Sequence, residues 1–343
     1  MKHAGIIGCG RIVEDCHAPT YLKLTNRVHV VALSDPVPQR RKVIGDKLGV
    51  PEKSRYADYR KMLDREKLDF VDIAVPHFLH ENAILAAAKR GIDVLSEKPL
   101  TTTIASAKKI INAVRKKKIQ FGIIHNYRYE PVRQKAFKLL HEGKLGKPFF
   151  IRFEYPGWSS YAGAAGYRPY WRTEASFSGG GALIDNGYHY IYLAEEFMGS
   201  PIVSVYARVG TFVRKQNVDD LGVVTFTHAN GGITSLLISW GLRAGGRSAT
   251  EVHGTKGSLW FGYDEIPLQF FDNKTERWRE YKIKGDFMTG FHALFREYLD
   301  SLDGKKKFYP NSKLALHTIA IVMAAYKSAK ERRVVSLAEL EKN

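Results

Sequence analysis

Two units of the α/β class are predicted: residues 1–124 on a parallel sheet with crossover helices, then residues 125–343 as an α+β unit on a large, open, mainly antiparallel sheet. Three observations predict them. The first third alternates short β-rich runs with helical stretches, and a glycine loop, Gly8-Cys9-Gly10, directly follows the first run. After about residue 125 the pattern changes to closely spaced alternating strands.

Strands are predicted at residues 4–7, 29–34, 70–75, 93–95 and 120–124. Between them, helices are read at 80–90, stopped by Gly91, and at 104–115 behind the capping cluster Thr101-Thr102-Thr103. Each crossover is short, as right-handed βαβ units require. The second unit opens with a helix at 131–142, followed by strands at 149–155, 203–213, 221–227, 233–240, 248–253 and 258–261. Helices at 287–302 and 311–332 close the chain. A sheet this broad has more strands than so few helices can cover, which predicts a homodimer or homotetramer through its open face.

Composition narrows the function. At 343 residues, 44% hydrophobic and 26% charged, the chain is an ordinary globular protein long enough for two cores. Apolar runs are interrupted well before membrane-spanning length, and the N-terminal run is too short for a secretory leader, so a cytoplasmic protein without membrane contact is expected. Its only cysteines, Cys9 and Cys16, can build neither a disulfide framework nor a thiolate metal site. No histidine spacing suggests a metal either. The net charge of +18 is spread along the chain in short clusters such as Lys116-Lys117-Lys118, which reads as solvated faces rather than a nucleic-acid surface.

The segment Gly8-Cys9-Gly10-Arg11-Ile12-Val13 sits between a strand and a helix, where missing side chains let the backbone approach a pyrophosphate at the helix N-terminus. Gly8, Gly10, Arg11 and Ile12 are therefore candidate dinucleotide contacts, although Val13 replaces the third glycine of that fingerprint. Asp35 ends the second predicted strand, where a carboxylate accepts the ribose hydroxyl protons, favouring NAD; a turn cap before Pro36 is its other reading. Arg40 and Arg41 follow closely and keep NADP possible.

Further motifs are Glu97-Lys98-Pro99 after the fourth predicted strand and Gly179-Gly180-Gly181-Ala182-Leu183-Ile184-Asp185-Asn186-Gly187-Tyr188-His189 in the second half. Pro76 leading to His80, and the segment Asn126-Tyr127-Arg128-Tyr129, accompany them. With the glycine loop, these motifs resemble the glucose-fructose oxidoreductase and inositol dehydrogenase family, in the same order across most of the chain. The resemblance implies a Rossmann domain plus an open-faced sheet domain, a cis Lys98–Pro99 bond, and Lys98, Asp185 and His189 in the family's catalytic positions. Tyr192 stands where that family usually shows an acid.

The same residues suit alcohol oxidation on chemical grounds. Such a site needs a base and donors for a developing alkoxide; imidazole exchanges protons near neutrality, and an ammonium can bond the reacting oxygen. At helical spacing Asp185 and His189 share one face, so the carboxylate can orient the ring or touch the substrate. Pro76, His80, Glu97 and Lys98 join the expected cofactor contacts, His80 alternatively as a helix-start residue. Asn126 and Arg128 are candidate substrate contacts, with an ion pair to Glu97 as the other reading of Arg128. Trp158, Tyr161, Trp171 and Arg172 belong to a glycine-spaced aromatic segment whose rings can stack on a sugar, or else form a core corner or subunit interface. The expected activity is NAD(P)-dependent oxidation or reduction of a sugar, cyclitol or polyol; the alternative is a non-catalytic dinucleotide-sensing regulator on the same scaffold.

Overall fold

The computed structural model describes residues 1–158, 170–243, 248–262 and 268–341. Six parallel strands form the first sheet: β1 (Lys2–Ile7), β2 (Val28–Ser34), β3 (Arg55–Tyr56), β4 (Phe70–Ile73), β5 (Asp93–Ser96) and β6 (Phe121–Ile123). Their order, β3-β2-β1-β4-β5-β6, reverses direction between β1 and β4. Ligands of open α/β sheets bind where the order reverses, outside the carboxyl ends of the strands. Those ends carry the glycine loop, Asp35, Pro76 and Lys98. The strand β3 escaped prediction because two residues, Arg55 and Tyr56, carry no alternation to read.

The second sheet has nine strands in the order β14-β13-β12-β11-β7-β10-β9-β8-β15. These are β7 (Pro148–Pro156), β8 (Ile202–Gly210), β9 (Leu221–His228), β10 (Ile233–Ser239), β11 (Ala249–Gly254), β12 (Gly257–Gly262), β13 (Leu268–Asp272), β14 (Arg277–Tyr281) and β15 (Val335–Ser336). Only β7 and β10 pair in parallel; the other pairs are antiparallel. One face packs on the helices Tyr188–Met198 and Ser312–Glu331 through Phe153, Val205, Phe226 and Leu236. On the other face, Tyr206, Val223, Ile233 and Trp260 are exposed around an Arg152–Glu251 ion pair.

The helix Phe287–Leu302 lies late in the chain but covers the first sheet. Asp286 caps it by accepting from the Thr289 amide, and its apolar stripe, Phe291, Leu294, Phe295 and Tyr298, packs with Ile6, Val30 and Phe70. Each such buried side chain stabilises the fold by about 1.5–3 kcal/mol. Arg27 anchors the helix end through Asp300 and Asp303 at 2.9 and 3.0 Å.

The glycine triplet is a packing device. A Cβ on Gly181 would sit 1.8 Å from the Asp219 carbonyl oxygen, and one on Gly180 would sit 2.1 Å from the Tyr326 hydroxyl. Asp219 accepts hydrogen bonds from the amides of Gly181 (2.7 Å) and Leu183 (2.8 Å) and from the Tyr326 hydroxyl (2.7 Å). It thereby satisfies N-terminal amides of the turn that carries Asp185. That turn, Leu183–Gly187, is π-helical before the α-helix Tyr188–Met198 begins.

Candidate active site

A cleft of about 640 Å³ runs from the carboxyl edge of the first sheet to the Leu183–Met198 segment, within the range of small-molecule and cofactor sites. At one end lie Gly8, Gly10, Arg11, Ile12 and Asp35, together with the Ala57–Arg60 segment that follows β3. Gly8 has φ +96°, and a Cβ there would meet the Ala74 carbonyl oxygen at 2.4 Å, so only glycine closes this turn. A Cβ on Gly10 would meet no protein atom within 4 Å. Its bareness leaves room for a ligand's backbone, as a pyrophosphate cradle requires. Val13 is buried, and the helix behind the loop opens as a π-turn, Val13–His17, before Ala18–Lys23.

The Asp35 carboxylate accepts from the Cys9 and Val37 amides, both at 2.8 Å, so it serves as a local cap and also faces the cleft. Arg40 donates to the Cys9 carbonyl at 2.7 Å and pairs with Glu14 at 2.7 Å, while Arg41 donates to the Asp35 carbonyl. With Arg40 engaged by Glu14, a 2′-phosphate would meet the Asp35 carboxylate, which fits NAD.

At the other end, Lys98, Asn126, Trp171, Arg172, Asp185 and His189 line the cleft beside Pro76. The Lys98–Pro99 peptide is cis. The Lys98 ammonium donates to the Asp185 carboxylate at 2.6 Å and to its carbonyl at 2.8 Å, joining the end of β5 to the second half of the chain. An ammonium has three N–H groups, so one remains for a ligand oxygen. Burial pushes the Asp185 carboxyl upward, but Lys98 and then Arg172, 3.3 Å away, outweigh it and hold it well below the usual carboxylate range. His189 is pushed well below an ordinary imidazole, by burial first and the Lys98 cation next. It is therefore neutral at pH 7.

Several expectations are corrected here. Asp185 and His189 both face the cleft but do not bond each other: the carboxylate turns to Lys98 and Arg172, and His189 Nδ1 lies 2.9 Å from the Tyr192 hydroxyl. His80 does not face the cleft, because its ring nitrogens lie 2.8 and 2.9 Å from the Pro99 and Val75 carbonyls in full burial. Arg128 pairs with Glu196 at 2.8 Å and stacks over Tyr309, away from the cleft, so neither the substrate contact nor the pair with Glu97 holds. Trp158 is half-exposed off the cleft wall, between the guanidinium groups of Arg214 and Arg243. Tyr161 lies outside the described residues. Glu97 lines the cleft, yet its carboxylate already accepts from the Lys98 amide at 3.0 Å and faces His17.

Three site residues escaped sequence reasoning. His17 stands between two carboxylates, its Nδ1 2.9 Å from Asp72 and its Nε2 3.1 Å from Glu97, behind the cleft wall. His77 lines the cleft, with Nδ1 2.9 Å from the Ser178 carbonyl and its ring edge-on to Trp171. Tyr127 stacks on His189 with ring centres 3.9 Å apart. Its place inside Asn126-Tyr127-Arg128 was the available signal, but nothing local said which of the three faces inward.

Comparison with known proteins agrees with the two-sheet fold. A family model described as an oxidoreductase family with an NAD-binding Rossmann fold matches residues 2–125, and the GFO/IDH/MocA C-terminal domain matches residues 133–260. The levoglucosan dehydrogenase of Pseudarthrobacter phenanthrenivorans is 29% identical over 249 residues, 64% of this chain and 63% of that protein. The myo-inositol 2-dehydrogenase of Thermotoga maritima is 26% identical over 98% of both chains. An oxidoreductase from Agrobacterium radiobacter, crystallised with NAD+, L-tartaric acid and magnesium, superposes with a TM-score of 0.87 at 21% identity over 99% of each chain.

Proposed function

The chain belongs to the Gfo/Idh/MocA family of NAD-binding oxidoreductases, and from that premise we propose that it interconverts a secondary hydroxyl and the corresponding ketone of a sugar, cyclitol or related polyol. Lys98, Asp185 and His189 surround the reacting carbon in this reading. The observation that carries it is the 2.6 Å bond between Lys98 and Asp185, formed across the two halves of the chain in the cleft that holds Gly8 and Gly10.

A dinucleotide held by Gly8, Gly10 and Asp35 would supply the hydride chemistry at the alcohol carbon. The chain's own residues do the rest. Lys98 offers its remaining N–H to the substrate oxygen, stabilising the alkoxide as the proton leaves. Neutral His189 takes that proton and gives it back in the reverse direction. Asp185, kept ionised by Lys98 and Arg172, holds the ammonium in place and can accept from a second hydroxyl. Trp171, with the Arg172 guanidinium over its ring at 4.3 Å, offers a flat wall to the C–H face of a sugar.

A panel of pentoses, anhydrosugars and inositols, read at the nicotinamide absorbance with NAD and NADP, tests this reading. Turnover of at least one member is expected, faster with NAD because Asp35 repels a 2′-phosphate. Tight NAD binding without turnover of any member would leave a dinucleotide sensor instead. We propose further that a second copy packs on the exposed sheet face around Tyr206, Val223 and Trp260. Sedimentation should report a dimer or larger, and Val223→Glu should lower the mass; a monomeric parent protein excludes the interface.

A further inference from the structure

We propose that Tyr192 is a positioning residue for the reaction: its hydroxyl accepts the Nδ1–H of His189, fixing the ring tautomer that presents a bare Nε2 to the substrate. This rests on the reading of His189 as the proton acceptor.

The geometry leaves the imidazole little freedom. Tyr192 lies one helical turn beyond His189, with its hydroxyl 2.9 Å from Nδ1. Tyr127 covers one ring face at 3.9 Å between centres and 12° between planes, and the Arg133 guanidinium lies 4.8 Å from the Tyr127 ring. Tyr192 is itself held by His125, stacked at 4.0 Å and 4°. A clamped ring cannot exchange the roles of its nitrogens by flipping, so the partner of Nδ1 decides what Nε2 can do. Were Nδ1 to accept from the phenol, Nε2 would carry the proton and no base would face the substrate. With Nδ1 donating, Nε2 is free, and the same hydrogen bond persists, strengthened by charge, once His189 becomes imidazolium.

A phenol also differs from a carboxylate in adding no charge. Burial raises the Tyr192 hydroxyl well above its ordinary pKa, so it stays neutral while His189 titrates. The charged and titratable groups facing His189 are then Lys98 after β5, Asp185 on the preceding turn, Arg133 from the helix Pro131–His141, and His125 with Tyr127 from the segment after β6. Burial comes first, and Lys98, His125 and Arg133 join it in opposing protonation, whereas Asp185 favours it. A carboxylate at residue 192 would reverse that balance.

The ring ¹⁵N shifts of histidine-labelled protein test this, with His189→Ala assigning the signal. The parent protein is expected to show His189 as the neutral Nδ1–H tautomer at pH 7. Tyr192→Phe, which keeps the stack on His125, should mix the tautomers and lower kcat by about ten- to a hundred-fold, the loss expected for one hydrogen bond to a charged group. KM for NAD should not move. Tyr192→Asp should shift both the His189 titration and the acid limb of kcat/KM to higher pH. An Nε2–H tautomer in the parent protein, or a tautomer and kcat unmoved in Tyr192→Phe, overturns the proposal, as does an unmoved titration in Tyr192→Asp. Retained turnover in His189→Ala would instead sink the assignment of the base, whatever the tautomer proves to be.

Discussion

Lys98→Ala should lower kcat by about a thousand-fold while leaving NAD affinity nearly unchanged, because the ammonium is held by Asp185 at the proposed reacting oxygen, whereas Gly8, Gly10 and Asp35 are the expected dinucleotide contacts. Two effects combine. The alkoxide loses a cationic donor, and removing one such donor typically costs about 10²–10³ in kcat. Asp185 loses the first of the cations that hold it ionised, retaining Arg172 at 3.3 Å. Its carboxyl should climb back toward the usual range or beyond, since burial pushes it that way. His189 gains basicity in the same variant, because the Lys98 cation is the largest charge opposing its protonation. The residual activity should therefore show an acid limb displaced to higher pH. Lys98→Met, which keeps most of the stem's volume, separates charge from packing and should be equally inactive. Calorimetric NAD binding and steady-state kinetics on both variants check this, and either one retaining more than a tenth of the parent kcat would remove Lys98 from the chemistry.

Replacing His17 should produce the largest loss of stability. Its ring is fully buried between Asp72 and Glu97, and the Tyr21 hydroxyl donates to the same Asp72 oxygen at 3.0 Å. Burial alone would lower its pKa, but Asp72 first and Glu97 next outweigh it, and the imidazolium is pushed up to about 10. An unfolded histidine titrates near 6.5, so the folded value is the higher one. The stabilisation is accordingly complete below about pH 6.5 and is lost as the pH rises towards 10. His17→Leu leaves two buried carboxylates without their cation, a change that costs about 3–5 kcal/mol. At about 2.1 cal/mol/K of unfolding entropy per residue, each kcal/mol lowers Tm by roughly 1–2 °C in a chain of this size. Scanning calorimetry between pH 6 and 10 should show a Tm that falls with pH in the parent protein and a lower, flatter Tm in the variant. Parallel curves for the two proteins would mean that His17 is buried neutral. Because Glu97 also receives the Lys98 amide at 3.0 Å, the same network stiffens the turn that presents Lys98.

The parts of the site legible in the chain are those whose chemistry is written in consecutive residues. Gly8 is needed by the turn it occupies and Gly10 stands bare beside it, Asp35 follows a strand that its β-branched neighbours announce, and Glu97-Lys98-Pro99 follows another. Most predicted strands came within a residue or two of the observed bounds, but the strand read at 203–213 overran β8, which ends at Gly210, and β3, β13, β14 and β15 were not read at all. The glycine triplet was visible but its reason was not. It needs Asp219, which reaches back from just ahead of β9 to hold the amides of Gly181 and Leu183.

Sequence by itself determined the two-sheet α/β fold, the cofactor end of the cleft and the identity of Lys98, Asp185 and His189 as candidates, because backbone turns, strand ends and helical faces are set by near neighbours. Only the tertiary structure decided which groups pair: Lys98 with Asp185, His17 with Asp72 and Glu97, His189 with Tyr192, and Arg128 with Glu196. Apart from His189 and Tyr192, these partners stand tens of residues apart in the chain. Their meeting depends on how sheets and helices pack, and a buried charge takes whichever partner that packing brings within about 3 Å.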